Sequence, residues 1–111
     1  MNIDHHSLPV LLLAALLSAC GSTTTHHVLT GVQGPPHGGD VLIVLQGQTP
    51  PPGGQEVGVV QAIGRGTHAD LAHVVDGLKQ EAARLGCTAV INVKVDQGAS
   101  TASGTGVCMR P

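Results

Sequence analysis

There is no phenylalanine, tyrosine or tryptophan among the 111 residues. That absence removes base stacking, cation–π cages and the flat platforms on which sugars stack from the binding modes open to the chain. It also confines the core to Val, Leu, Ile, Ala and Met, so a small domain buries a modest fraction of its surface and gains from a disulfide or self-association. Charge is scarce, with 5 Lys and Arg against 7 Asp and Glu. So sparse and balanced a surface offers no basic face for nucleic acid or anionic lipid. Long apolar runs are missing too: Leu8 to Leu17 is about half of the ~20 residues a bilayer-crossing helix requires. Met1 to Pro9 holds no Lys or Arg, leaving the amino terminus, His5 and His6 to set against Asp4.

Catalytic signatures are equally thin. The serines and threonines at Ser100, Thr101 and Ser103 stand near glycine, but no Gly-x-Ser-x-Gly elbow exists. Gly64-Arg65-Gly66-Thr67 lacks the lysine and spacing of a phosphate loop and reads as a capped turn. Asp70, His73 and Asp76 lack a neighbouring nucleophile and read as a solvated ridge. The chain is expected to be no enzyme and to need no cofactor.

What is present begins with Leu17-Ser18-Ala19-Cys20, directly after the apolar run. The arrangement resembles the lipobox of bacterial lipoproteins, in which a branched aliphatic and two small residues precede the cysteine that accepts a diacylglyceryl group. The run has the length of a signal-peptide core. The resemblance implies a cleaved signal peptide over 1–19 and lipidation, palmitate included, at Cys20. Each buried methylene contributes ~0.8 kcal/mol, so several acyl chains hold a protein on a membrane for good. Gly21 and Ser22 follow in place of the Asp that retains such lipoproteins in the inner membrane. The expected location is the outer membrane, facing the periplasm.

Residues 20–39 are rich in Thr, Gly and Pro and carry His26, His27 and His37. Such a composition predicts a flexible, lipid-anchored tether, with at most a short extended stretch over Val28 to Val32. One folded unit is expected over 40–111. Val41 to Leu45 reads as a buried strand, and Val57 to Ile63 as a second. Thr67 then serves as an N-cap, Leu71, Val74, Val75, Leu78, Ala82 and Leu85 share a helical face, and Gly86 ends the helix. Ala89, Ile91, Val93 and Val95 alternate with Val90, Asn92, Lys94 and Asp96 in a third strand, and Gly104 to Arg110 pairs back as a fourth. The predicted fold class is α+β: one helix on an antiparallel or mixed sheet of three to four strands, in the order β-β-α-β-β.

Glu56-Val57-Gly58-Val59-Val60, the run Glu81 to Val93 and Ala102-Ser103-Gly104-Thr105-Gly106-Val107 together resemble the small YbjQ-type domain, often labelled heavy-metal-binding. Behind a lipobox and a Pro-rich segment, the pattern resembles RcsF-type lipoproteins, which sense envelope damage for a phosphorelay. The YbjQ likeness implies a small α/β sandwich able to assemble into rings. The RcsF likeness implies a signalling partner in the envelope. Cys108 matches the position of a family cysteine and Cys87 does not. An exported chain with two such cysteines commonly bridges them, but here they sit a few residues off register, and two small buried thiols are the other reading.

The seven histidines raise a metal reading. His26, His27 and His37 could form a loose transition-metal site on the tether, while solvated surface histidines are the plainer account. His68 and His73, five apart, stand roughly 140° from each other on a helix and share no face. The function expected is a non-catalytic interaction or stress-sensing module touching an envelope protein. A metal-binding envelope protein and a ring-forming homo-oligomer are the alternatives.

Overall fold

The computed structural model describes residues 20–111; the expected signal peptide over 1–19 lies outside them. Five strands and one helix follow in chain order: β1 (Gly21–Leu29), β2 (Leu42–Leu45), β3 (Gln55–Gly66), α1 (Leu71–Arg84), β4 (Ala89–Gln97) and β5 (Thr101–Arg110). The strands form one mixed sheet in the order β1-β3-β5-β4-β2. β2 runs parallel to β4, and the other neighbours are antiparallel. The helix packs across one face. The α+β class holds, while the sheet has five strands instead of three to four and an additional strand leads the order.

That additional strand corrects the tether. β1 pairs with β3 over its whole length, from Gly21 opposite Gly66 to Leu29 opposite Gly58. The segment after it is also tied down. Thr30 and Gly31 donate their N–H groups to Val57 O at 2.9 and 3.0 Å, Gly34 to Leu85 O at 3.1 Å, and His37 to Ala83 O at 2.8 Å. Composition argued for a tether because the segment has little apolar surface to bury. It is ordered instead by backbone pairing, which does not depend on apolar side chains, and by threonines that suit an extended chain.

α1 starts one turn later than Thr67 suggested. Asp70 is the N-cap, its backbone extended (φ −145°, ψ 166°) and its carboxylate accepting the His73 N–H at 2.8 Å. The helix stops where expected, with Gly86 in the left-handed region at φ 83°. Its buried face holds Val74, Leu78, Ala82 and Leu85. It also holds Gly77 and Glu81, whereas Leu71, expected inside, is exposed. Val74, Leu78, Ala82 and Leu85 meet Val57, Val60, Ala62, Val90, Val93, Ala102 and Cys108 in one core.

With no aromatic ring to fill space, the two layers approach closely. A Cβ at Gly77 would stand 2.9 Å from Ala62 Cβ and 3.0 Å from Thr23 Cγ2, so a glycine is what lets the helix seat on β3 and β1. In β4 the simple alternation breaks at Asn92, which adopts φ 54° where the pairing with β5 shifts between Ile91 and Lys94. The bulge turns Val90 and Val93 inward together, and leaves Ile91 half-buried on the other face.

Candidate functional site

Cys20 is exposed and stands directly ahead of β1. Its carbonyl accepts the Thr67 N–H at 2.8 Å and also the Thr67 hydroxyl. Gly21 pairs with Gly66 at once. The other two cysteines are consumed by each other: Cys87 and Cys108 form a disulfide with Cα atoms 5.7 Å apart, well inside the usual range. The register difficulty resolves because Cys87 precedes β4, and Thr88 N–H reaches Met109 O at 2.9 Å. The backbone is thus already level with β5 where the bridge forms. Cys20 is the free cysteine among the described residues.

The histidines of the segment 20–39 form no common site. His26 and His27 are neighbours on β1, so their side chains leave opposite faces of the sheet. His37 hydrogen-bonds to Asp40 O at 3.1 Å. No group of three or more His, Cys, Asp or Glu side chains that could hold a metal ion occurs among the described residues.

Two polar constellations stand between β1 and α1. The first surrounds Glu81, 6% exposed. Its carboxylate accepts the Thr25 hydroxyl at 2.8 Å and His27 Nδ1–H at 2.6 Å, and pairs with the Arg84 guanidinium at 2.6 Å. Burial pushes the Glu81 carboxyl up, but the hydrogen bonds from His27 and Thr25 and the charge of Arg84 outweigh it and leave the pKa lowered. A buried carboxylate so fully partnered fastens the edge strand to the helix. Sequence periodicity placed Glu81 on no face, because a helical wheel read from apolar residues cannot see a carboxylate satisfied from another strand.

The second constellation holds His68 and His73, whose rings stack with centroids 4.0 Å apart. The helical-angle argument that separated them fails because α1 begins at Leu71 and His68 belongs to the turn before it. His73 Nδ1–H donates to Asp70 Oδ1 at 2.8 Å, and His68 Nδ1 hydrogen-bonds the Thr23 hydroxyl at 2.8 Å. Asp70 is held below its ordinary value first by the backbone N–H of His73 and then by the His73 ring. A cleft of about 440 Å³ opens beside the pair, lined also by Thr25, Asp76 and Gln80. Its charges are mixed, with Arg84 at its rim already committed to Glu81.

At the opposite end of the sheet lies an apolar cleft of about 400 Å³, walled by Leu42, Pro50, Pro51, Ile91 and Met109 with Arg110 at its edge. The prolines, from the segment between β2 and β3, form one of its walls.

Comparison with known proteins bears on the fold. The chain is similar to the crystal structure of FvfA, a Francisella virulence factor, at a TM-score of 0.51 and 14% identity, over 81% of this chain and 100% of that one. No family model matches the chain, and no curated protein does. At that identity the likeness to FvfA is one of fold.

Proposed function

We propose that the chain is a non-catalytic interaction module of the bacterial envelope, an RcsF-type lipoprotein fixed to a membrane through an acylated Cys20 and acting by contact with an envelope protein. The observation that carries the reading is the division of labour among the three cysteines. Two are joined in the core, as suits an oxidising compartment, and the third is exposed at the end of Leu17-Ser18-Ala19-Cys20. The engagement of the polar side chains beside the cleft with one another is what the non-catalytic part of the reading draws on. His73 Nδ1–H is bound to Asp70 and its ring is stacked against His68, while Arg84 at the cleft rim is paired with Glu81. The apolar cleft at Leu42, Ile91 and Met109 is the surface best suited to a protein partner.

Growth with an alkyne-bearing palmitate, followed by fractionation, tests the anchor. The natural chain is expected to take up the label and to sediment with membranes, and Cys20→Ser to lose both. Equal labelling of the two would refute the assignment. Crosslinking in intact cells tests the module, with recovery of no envelope protein counting against it.

A further inference from the structure

A lipid at Cys20 would be attached to a sheet rather than to a tether. The Cys20 carbonyl is bound by Thr67, and the next residue begins the β1–β3 ladder. Nothing between the acylated side chain and the folded domain can pay out length. The acyl chains must enter the bilayer, so the parts of the domain beside Cys20 must come to its surface. Those parts are the end of β3 with exposed Arg65, the β3–α1 turn with exposed Thr67, and the β4–β5 turn, whose Ser100 carbonyl accepts the Gly66 N–H at 3.1 Å. The two turns are exposed, without large apolar side chains, and suit a headgroup layer.

From this continuity we infer that the domain sits directly on the membrane on its Cys20 end, with β1 and β3 rising from the surface. β3 has 12 residues, and at ~3.3 Å per residue its Gln55 end stands about 35 Å from its Gly66 end. The apolar cleft lies at that far end, since Met109 and Arg110 pair with Glu56 and Gln55. The membrane surface is therefore the occupant of one end, and the opposite end is the one held out to a protein. This placement rests on acylation of Cys20 and adds an orientation to it.

The test uses the full chain expressed and purified from membranes, with the acyl group verified by mass spectrometry. Because Cys20 is then blocked and Cys87 and Cys108 are bridged, a cysteine introduced as Ser100→Cys or Gln55→Cys takes a fluorophore alone. In phosphatidylethanolamine–phosphatidylglycerol vesicles containing a headgroup nitroxide lipid, the Ser100 site is expected to be quenched about fivefold more than the Gln55 site, given the ~3.3 Å rise per residue along β3. A flexible Gly-Ser spacer of about ten residues inserted between Cys20 and Gly21, reaching on the order of 18 Å, is expected to erase most of that difference. Equal quenching at the two sites in the acylated chain, or a spacer without effect, would overturn the orientation while leaving the anchor intact. Absence of the acyl mass would overturn the anchor and the orientation with it.

Discussion

β1 and β2 close the same sheet on opposite sides and are made of different material. β2 is four residues of Leu, Ile and Val against β4, with Val44 5% exposed in the core. β1 is nine residues in which Ser, Thr and His predominate, and no side chain of it is fully buried. One edge is held by burial of Val44 and partial burial of Ile43, with Leu42 and Leu45 left exposed, alongside its backbone bonds to β4. The other is held by its backbone ladder and by hydroxyl and imidazole groups reaching Glu81 and His68 on the helix side. A strand can thus be specified by hydrogen-bond partners supplied from elsewhere in the fold, with little hydrophobic pattern of its own.

The contrast is broken most severely from the apolar side. Val44→Asp would place a charge in a core without a partner, and a loss of about 4 kcal/mol or more is expected, enough to unfold a domain of marginal stability. With no aromatic residue to report fluorescence, urea titration followed by far-ultraviolet circular dichroism is the measurement. Retention of the native midpoint would show that β2 is not held by burial.

Glu81→Ala is expected to cost less, about 2 kcal/mol, because it strands the partners Thr25, His27 and Arg84 near the surface rather than burying a charge. Its effect should be local. Amide exchange should quicken along β1 while β4 and β5 stay protected, and a uniform change across the sheet would contradict the separate fastening of that edge.

Acid should produce the same loosening more gradually. The Glu81 pKa is lowered from an ordinary 4.5, so the folded state binds its proton more weakly than the unfolded chain does. The stabilisation is therefore fully present above about 4.5 and is lost as pH falls through the lower folded value. Exchange at β1 measured from neutral pH downward, corrected for intrinsic rates, should rise in that window, and Glu81→Ala should flatten the rise.

The same contrast explains which parts were legible in the sequence. Strands β2 to β5 and α1 announced themselves through runs, alternation and a terminating glycine, because their side chains face the core. β1 reads as a tether because composition measures apolar content and is blind to a ladder provided by Gly58 to Gly66. Within the candidate site, the bridge between Cys87 and Cys108 stays open in the sequence because periodicity alone does not place the entry into β4. Glu81 and the stacked His68–His73 pair were missed. Each depends on contacts between segments far apart in the chain, or on where a helix begins to within one turn.

The Cys20–β1 junction has a mechanical consequence. A force applied at Cys20 along the strand acts parallel to β1, across the hydrogen bonds that join it to β3. All nine residue pairs of that ladder share the load in shear, instead of yielding one after another as they would if peeled from the end. A slack linker would absorb a small displacement of the attachment point before the fold felt it. Here the displacement reaches β3, and through Glu81 the helix, at once, so the domain is coupled stiffly to whatever holds its first strand.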